Sequence, residues 1–164
     1  MSETFTGKVW VLGDDIDTDI IIPTEYLALK TVQDMTPYAF SPLRPELASQ
    51  IKPGDIIVAG KNFGCGSSRE QAPEIIKALG IQCVIAKSFA RIFFRNSINN
   101  GLLLIEQPTL YDDIKEGDTV SVVMNEHIDY YGKEYPIASL PENLMDIIRA
   151  GGLVKAMRKL NGLD

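Results

Sequence analysis

Residues that bind transition metals are scarce in this sequence. Its 164 residues include one histidine, His127, and two cysteines, Cys65 and Cys83. A histidine-rich metal centre is therefore excluded, and two thiols cannot hold a four-thiolate zinc site or iron–sulfur cluster. The spacing of the cysteines matches no metal motif, so we expect both to be small, partly buried apolar side chains. We predict no metal and no cofactor held by this chain alone.

Long apolar runs and an excess of positive charge are also missing. No run approaches the roughly 18 residues that a membrane-spanning helix needs, and the first residues lack the charged-then-apolar pattern of a signal peptide. The formal net charge of −6 argues against a nucleic-acid or anionic-membrane partner. We therefore expect a cytoplasmic, globular protein with no nucleic acid and no membrane among its partners.

The hydrophobic pattern predicts a mixed α/β fold in one domain, residues 1–164. Hydrophobic residues make up 45% of the chain, enough for a core without disulfides. Apolar runs predict strands at residues 8–12, 56–59, 83–86 and 102–105, and helical periodicity predicts helices at about 71–79 and 89–100. This alternation predicts right-handed βαβ units with parallel strands in a mixed sheet.

Local signals set the expected starts of the two helices. Pro73 would remove a helical hydrogen bond if the first helix began at Ser68, so we place its regular part from about Gln71. Ser88 is predicted to be the N-cap of the second helix.

The rest of the chain has a different character. Four prolines predict an irregular excursion over residues 36–53. Apolar–polar alternation at residues 119–124 and 127–131 predicts a β-rich C-terminal layer. A terminal amphipathic helix is predicted to begin at Pro141 and, after a break, to resume over residues 153–160.

Positive charge is concentrated in one segment. Residues 61–95 carry six basic and two acidic side chains, a local balance of +4, so the remaining residues carry −10. A basic patch on an otherwise acidic protein favours a small anion over a polyanion. Arg91 and Arg95 share a helix face and are expected to reinforce one site. An ordinary solvated face with ion pairs is the alternative.

A glycine-rich loop, GKNFGCGSSR at residues 60–69, lies within this basic segment. Gly64 and Gly66 let the backbone take positive φ or approach a ligand closely. Backbone N–H groups, a helix N-terminus and Arg69 together make a candidate site for a carboxylate or phosphate. The spacing does not match a Walker loop, a dinucleotide fingerprint or a nucleophile elbow. A purely structural Gly–Ser turn is the alternative.

Three aspartates at alternate positions, Asp15, Asp17 and Asp19, resemble the start of an EF-hand loop. The glycine and glutamate that such a loop requires are replaced by Ile20 and Tyr26. Calcium binding is therefore not predicted, and we expect these acids to cap a turn or to orient basic residues of the site.

Three segments in this order resemble one family. They are GDDIDTDIIIP at residues 13–23, GKNFGCGSSRE at 60–70 and AKSFARIFFRN at 86–96. Together they are similar to the small subunits of 3-isopropylmalate dehydratases, which are the swivelling domain of the aconitase family carried as a separate chain. The resemblance spans most of the chain, is weakest over residues 31–50, and implies a swivelling β/β/α domain.

The resemblance also implies an activity. These hydro-lyases isomerise 2-isopropylmalate and 3-isopropylmalate by dehydration and rehydration in leucine biosynthesis, and are active only with a large subunit. A 4Fe–4S cluster on that subunit binds the hydroxyl and a carboxylate of the small dicarboxylate substrate. The catalytic serine maps to Ser67, whose alkoxide takes the proton from the neighbouring carbon. Gly66 and Ser68 would supply hydrogen bonds, and Arg69 would hold a substrate carboxylate.

In this family the loop after the Asp-Thr-Asp motif reads the variable group of the substrate. Ala28 and Leu29 in that loop are apolar and favour an isopropyl or methyl group, whereas Lys30 keeps an acidic group open. Hydro-lyases acting on 2,3-dimethylmalate, citramalate or citraconate, and homoaconitate are therefore alternatives. Gln71 stands where the family commonly has histidine. Because glutamine does not titrate near neutrality, this departure bears on any proton transfer there, but not on the serine.

Two functions of other classes are compatible with the same residues. A serine hydrolase would use Ser67 or Ser68 with His127. A non-catalytic anion-binding scaffold protein would need only the glycine loop and Arg69.

Overall fold

A computed structural model of the chain describes residues 4–152 together with 157, 158, 160 and 162. The strands within these residues are β1 (Thr4–Val11), β2 (Ile56–Ala59), β3 (Cys83–Ala86), β4 (Leu103–Glu106), β5 (Thr119–Val123), β6 (His127–Tyr130) and β7 (Lys133–Pro136). The helices are α1 (Thr18–Ile21), α2 (Val32–Met35), α3 (Leu47–Gln50), α4 (Gln71–Ala78), α5 (Arg91–Asn99), α6 (Leu110–Asp113) and α7 (Glu142–Ala150), with 3-10 turns at Thr24–Ala28 and Thr36–Tyr38.

The strands form one mixed sheet in the order β4-β3-β2-β1-β5-β6-β7. β1 to β4 pair in parallel, and β1 with β5, β5 with β6 and β6 with β7 pair antiparallel. The predicted βαβ units and the β-rich C-terminal layer are confirmed. β7 was not predicted, because Tyr135 is its single buried residue and gives no alternation to detect.

Of the two long central helices, α4 begins where the sequence predicts and α5 does not. α4 begins at Gln71 as predicted, and Pro73 lies in its first turn, where its missing N–H costs no helical hydrogen bond. α5 begins at Arg91, and Ala90 is its N-cap residue. The predicted cap at Ser88 is wrong, because the Ser88 hydroxyl instead accepts a hydrogen bond from the Asn62 N–H at 2.8 Å.

A hydrophobic core lies on each face of the parallel strands. Ile57 and Val84 face the first core, which includes residues of α1 to α5. Ile56 and Cys83 face the second, which includes residues of α6, α7 and the antiparallel strands. Successive side chains of a strand point to opposite faces, so burial on both faces produces the uninterrupted apolar runs of β2 and β3.

The excursion over residues 36–53 has little regular structure, as predicted, but it is firmly packed. Phe40 and Leu47 are completely buried in the first core. The Phe40 N–H donates to the Ile21 carbonyl at 3.0 Å. This segment therefore forms part of the cover on the face of the sheet that carries α4 and α5.

The C-terminal helix has the predicted start and break. α7 begins directly after Pro141 and ends at Gly151, which takes a left-handed conformation with φ of 91°. Its predicted continuation over residues 153–160 lies for the most part outside the described residues. Among the helices described, none is long and apolar enough to cross a membrane.

Candidate active site

The loops that follow β1, β2 and β3 meet at the carboxyl edge of the parallel strands. The Gly60 N–H donates to the Gly13 carbonyl at 3.1 Å, and the Lys87 N–H donates to the Gly60 carbonyl at 3.0 Å. Ligand sites of open α/β sheets lie at this edge. The glycine-rich loop therefore occupies the position where a parallel sheet presents a binding site.

Aspartates after β1 hold the glycine-rich loop through its backbone. Asp14 Oδ1 accepts a hydrogen bond from the Lys61 N–H at 2.7 Å, and the Asp15 N–H donates to the Lys61 carbonyl at 2.8 Å. Asp17 caps α1 by accepting from the Ile20 N–H at 2.8 Å. The predicted turn-capping role is thus confirmed for Asp17, and its neighbours fix the loop after β2.

Phe63 anchors the loop in the first core. Its side chain is fully buried and meets the rings of Phe89 and Phe93 edge-to-face, at centroid distances of 6.0 and 5.5 Å. Gly64 follows with φ of 83°, and a Cβ there would lie 2.1 Å from Phe93 Cγ. Only glycine can follow the anchor without moving α5.

Thr18 holds the loop immediately before the two serines. The Thr18 N–H donates to the Cys65 carbonyl at 2.9 Å, and its hydroxyl donates to the Ser67 carbonyl at 2.9 Å. Gly66 lies beside this contact with φ of 92°, and a Cβ there would be 3.4 Å from Asp17 Cβ. Ser67 is therefore held through its backbone.

Ser67 and Ser68 open onto a cavity of about 220 Å³. Both serines are exposed, and neither hydroxyl joins a hydrogen bond to protein among the described residues. The cavity is also lined by Gly66, Arg69, the start of α5 at residues 90–93, and Asn96. The unpaired N–H groups in the first turn of a helix carry partial positive charge. The cavity is suited to an anionic ligand placed against two unbonded hydroxyls.

Arg69 ties the segment after β1 to this cavity. Its Nη1 donates to the Ile22 carbonyl at 3.0 Å, and its Nη2 donates to the Thr24 hydroxyl at 2.7 Å. Nη2 also pairs with the Asp19 carboxylate at 2.5 Å, and the arginine side chain is only 14% exposed. These contacts engage three of the five guanidinium N–H groups. The expected role of the aspartates in orienting a basic residue is confirmed for Asp19.

The predicted basic patch is only partly a feature of the site. Arg69 and Arg91 line the cavity, whereas Arg95 does not, so the prediction that Arg91 and Arg95 reinforce one site is wrong. Asn96, one residue farther along α5, does line the cavity, so the helix face and not the distance along the helix separates Arg95 from it. Lys87 pairs with Asp112 at 2.8 Å, as in an ordinary surface ion pair.

The residues predicted to read the variable group lie outside the cavity lining. Ala28 ends the 3-10 turn and is exposed, and Leu29 follows it and is 37% exposed. The same turn begins at Thr24, whose hydroxyl is bonded to Arg69. The role of Ala28 and Leu29 in specificity stays a prediction. Gln71 is the half-buried first residue of α4.

Sequence reasoning missed five residues of the cavity: Thr18, Ala90, Ile92, Phe93 and Asn96. A signal existed for Thr18, because an aspartate N-cap at Asp17 places the next residue in the first helical turn. Ile92 is 54% exposed, and nothing local distinguishes it from a core isoleucine.

The chain's own donor set does not fit a metal or an iron–sulfur cluster. Among the described residues no three histidine, cysteine, aspartate or glutamate side chains are grouped as ligands. Burial raises the pKa of the Cys83 thiol, and burial together with the carboxylates of Asp17 and Asp15 raises the pKa of Cys65. Both cysteines are free thiols packed as small apolar groups.

His127 is not a partner for either serine. Its Nε2 lies 3.4 Å from Glu134 Oε2 on the adjacent strand β7. β6 is three strands away from β2, about 14 Å at normal strand spacing, and His127 is not part of the cavity wall. The hypothesis of a serine hydrolase using His127 is therefore contradicted.

Part of the chain matches a known protein family. A family model described as the aconitase C-terminal domain matches residues 20–110, which include the glycine-rich loop and the start of α5.

Relatives cover nearly the entire chain. A 3-isopropylmalate dehydratase small subunit from Lachnospira eligens is 82% identical over 164 residues, 100% of both chains. The 3-isopropylmalate dehydratase small subunit 1 from Archaeoglobus fulgidus is 49% identical over 157 residues, 94% of this chain and 97% of the relative. A solved structure of 3-isopropylmalate dehydratase from Methanocaldococcus jannaschii has a TM-score of 0.90 at 42% identity, covering 97% of this chain and 96% of that chain. The similarity thus extends over the whole sheet.

Proposed function

This chain belongs to the aconitase C-terminal domain family and, within it, to the 3-isopropylmalate dehydratase small subunits, and we propose that it carries the catalytic serine of a two-subunit hydro-lyase. The reaction interconverts 2-isopropylmalate and 3-isopropylmalate by dehydration and rehydration, as a cytoplasmic step of leucine biosynthesis. Activity requires the large subunit.

Ser67 is the base in this proposal. Its alkoxide removes the proton from the substrate carbon next to the one that carries the hydroxyl, and Ser67 returns a proton during rehydration. An ordinary serine hydroxyl is far too weak an acid for this role, so its alkoxide needs N–H dipoles and cations close by. The first turn of α5, with Arg91 as its first residue, and Arg69 line the same cavity as Ser67 and supply both.

Arg69 holds a substrate carboxylate, with Ser68 and Gly66 donating further hydrogen bonds. The three contacts of Arg69 leave two guanidinium N–H groups for the substrate. They also fix the plane of the guanidinium, which is what a bidentate carboxylate contact requires. Ser68 and Gly66 lie on the same cavity wall.

Ala28 and Leu29 select the isopropyl group in the assembled enzyme. The turn that carries them is held by the Arg69–Thr24 bond and by the parallel stacking of Tyr26 on Tyr38 at 4.0 Å. An apolar wall distinguishes substrates that differ by one methylene by roughly 10- to 200-fold. Dimethylmalate, citramalate or citraconate, and homoaconitate are thus the competitors to test.

The large subunit supplies the 4Fe–4S cluster in this proposal. The two free cysteines of this chain lie in the core and beside the aspartate-rich segment, and they do not form a ligand set. What this chain contributes is the base, the carboxylate clamp and part of the cavity wall.

One observation carries the proposal. The loop is fixed by Phe63, Gly64 and Thr18, yet the hydroxyls of Ser67 and Ser68 make no protein hydrogen bond among residues 4–152. Serine hydroxyls in a turn can bond to nearby backbone groups, and these two do not. A rigid loop with two unbonded hydroxyls in an electropositive cavity is suited to catalysis.

The decisive experiment replaces Ser67 in the assembled enzyme. Both subunits are purified together without oxygen, and turnover of 2-isopropylmalate is compared for the unaltered chain, Ser67→Ala and Ser49→Ala. Ser49 lies on α3 and bonds only to the Glu46 carbonyl, so it controls for loss of a hydroxyl. We expect Ser67→Ala to lower kcat by roughly 1,000-fold or more with normal assembly, and Ser49→Ala to be neutral. Full turnover by an assembled Ser67→Ala enzyme would refute the assignment.

A further inference from the structure

Thr18 forms two hydrogen bonds to the loop that carries the serines, one on each side of Gly66. Its backbone N–H donates to the Cys65 carbonyl at 2.9 Å, and its hydroxyl donates to the Ser67 carbonyl at 2.9 Å. Thr18 is only 2% exposed, so bulk water has little access to replace either bond. One buried residue therefore fixes two carbonyls of the loop.

These two carbonyls also fix the direction of two N–H groups. Each carbonyl forms a planar peptide unit with the N–H of the next residue, and in a trans peptide the C=O and the N–H point in opposite directions. The peptide bonds of the described residues are trans. The bonds to Thr18 therefore turn the Gly66 N–H and the Ser68 N–H to the same side of the loop, away from Thr18.

Both of these N–H groups are free to bind an anion. Neither has an acceptor within the part of the chain that the structure describes, and Gly66 and Ser68 both line the serine cavity. Backbone N–H groups that share one side of a turn form a concave anion site. Donors that are fixed before the reaction stabilise developing negative charge without having to reorganise. The direction of these two donors is thus set by Thr18 and is available for catalysis.

The loop has no other anchor at this point. On one side the Gly64 N–H donates to the Ile16 carbonyl at 2.7 Å, and on the other side Arg69 is held by its own side-chain contacts. Between these anchors, the hydroxyl of Thr18 supplies the one hydrogen bond that residues 66–68 form within the described chain. The position of the proposed base thus depends on that hydroxyl.

From these observations we propose that Thr18 is a positioning residue for the hydro-lyase reaction. Its hydroxyl holds the Ser67 carbonyl, and this bond places the base and directs the Ser68 N–H. Without the bond the loop keeps its anchors at Gly64 and Arg69 but loses its fixed centre. A displacement of about 1 Å at a catalytic group can cost about 100-fold in rate. The inference rests on the proposed role of Ser67 and names the residue that holds Ser67 in place.

The test removes the hydroxyl and keeps the shape of the side chain. Thr18→Val and Thr18→Ser are compared in the enzyme assembled with its large subunit without oxygen. Thr36→Val is the matched control, because the Thr36 hydroxyl also donates to a backbone carbonyl, that of Gln33 at 2.8 Å, and lies outside the cavity lining. We expect Thr18→Val to lower kcat by roughly 10- to 100-fold with KM changed less than about threefold. Thr18→Ser should retain most of kcat, and Thr36→Val should be neutral.

A merely structural role of Thr18 gives a different result. Loss of folded enzyme reduces the number of active sites but leaves the kinetics of each remaining site unchanged. Turnover is therefore also measured with substrate that carries deuterium on the carbon from which Ser67 removes the proton. We expect assembled Thr18→Val to convert this substrate more slowly than the ordinary one, because a misplaced base makes proton removal rate-limiting. Normal kcat in Thr18→Val, or a lowered kcat that is the same for both substrates, would overturn the proposal.

A further pair of variants covers the case in which Thr18→Val does not assemble. Thr18→Ala and Thr18→Ser both lack the methyl group, so the ratio of their kcat values isolates the hydroxyl. Equal values would contradict the proposal. The role of Ser67 is judged separately, because full turnover by Ser67→Ala would refute the proposed function itself. An inactive Ser67→Ala enzyme beside a fully active Thr18→Val enzyme would contradict the role of Thr18 alone.

Discussion

The antiparallel half of the sheet and the glycine-rich loop of the parallel half are held by different kinds of polar contact. In the antiparallel half, side chains pair with one another: the Tyr130 hydroxyl donates to Asp118 at 2.6 Å, and the Tyr135 hydroxyl donates to Asp113 at 2.6 Å. These two hydrogen bonds connect the segment before β5 to β6 and β7. Each tyrosine hydroxyl is bonded to a carboxylate of the same half. This half is built as a scaffold.

In the parallel half, the loop that carries the two serines is held chiefly through its backbone. Thr18 holds the Ser67 carbonyl, and Asp14 holds the Lys61 N–H. These contacts to backbone fix the loop without using the hydroxyls of Ser67 and Ser68. A loop can therefore be rigid and still present unbonded hydroxyls when neighbouring segments form hydrogen bonds with its backbone.

The largest contrast is expected between two glycines with the same backbone conformation. Gly64 has φ of 83° and is packed against Phe93, whereas Gly117 has φ of 93° and open space around its missing side chain. Gly117→Ala should cost only left-handed strain, about 1–2 kcal/mol. Gly64→Ala adds a clash with a buried ring and should cost about 4 kcal/mol. Urea unfolding of the two variants measures both losses, and equal losses would show that the loop is no more tightly seated than the surface turn.

Two arginines provide the next contrast. Arg69→Lys loses a planar guanidinium with three contacts, and we expect kcat/KM of the assembled enzyme to fall by about 10- to 100-fold. Arg44→Lys alters a bidentate pair with Glu116 on the surface of the excursion, and we expect less than about 1 kcal/mol of stability and no activity to be lost. Steady-state kinetics and urea unfolding are measured on both. An Arg69→Lys enzyme with normal kcat/KM would remove Arg69 from the site.

The pH dependence of stability isolates one pair of the scaffold half. The hydrogen bond to Asp118, with burial, raises the pKa of Tyr130 to about 12 from 10.0. A raised folded-state pKa stabilises the fold below the unfolded pKa and is lost as pH rises through the folded one. The free energy of unfolding should therefore fall less between pH 10 and about 12 in Tyr130→Phe than in the unaltered chain. Urea unfolding across this range is the measurement, with Tyr38→Phe on the excursion as the control. Identical alkaline profiles for the Tyr130 variant and the unaltered chain would contradict this account.

On the acid side the same hydrogen bond acts through Asp118. Its pKa is lowered chiefly by Tyr130, so this contribution is present above the unfolded pKa of 3.8 and is lost as pH falls below it. As pH falls below 3.8, the free energy of unfolding should therefore fall less in Tyr130→Phe than in the unaltered chain. Turnover at neutral pH should stay normal, because the pair is remote from the serine cavity.

The smallest effect is expected at the single histidine. His127 contacts Glu134 within the scaffold half, so His127→Gln should leave turnover unchanged and alter stability by no more than about 0.5 kcal/mol. Kinetics and urea unfolding of the variant test this. A large loss of turnover would restore a catalytic role for the histidine and break the division between the two halves.

Local signals predicted the elements that depend on few residues. The apolar runs of β2 and β3 and the start of α4 at Gln71 agree with the structure because burial on two faces and the geometry of Pro73 are properties of adjacent residues. The glycine loop was identified as the candidate site for the same reason. Gly64 and Gly66 do take positive φ.

Signals that depend on a distant partner were misread. Ser88 has the composition of an N-cap, but its hydroxyl bonds to Asn62, 26 residues away in sequence. Arg95 has the spacing to join Arg91, but it does not line the cavity, although its neighbour Asn96 does. The edge strand β7 forms by pairing with β6, and no pattern in its own residues predicts that pairing.

The sequence by itself determined the alternation of strands and helices, the glycine loop and the two serines, because these follow from hydrophobic period and from backbone freedom at single positions. Only the tertiary structure decided which side chains stay unbonded. Arg69 has its partners at Asp19, Ile22 and Thr24, and the Ser67 carbonyl has its partner at Thr18, all more than forty residues earlier. Whether a hydroxyl or guanidinium is free for chemistry depends on which distant groups the parallel sheet brings to its carboxyl edge, and no local pattern encodes that.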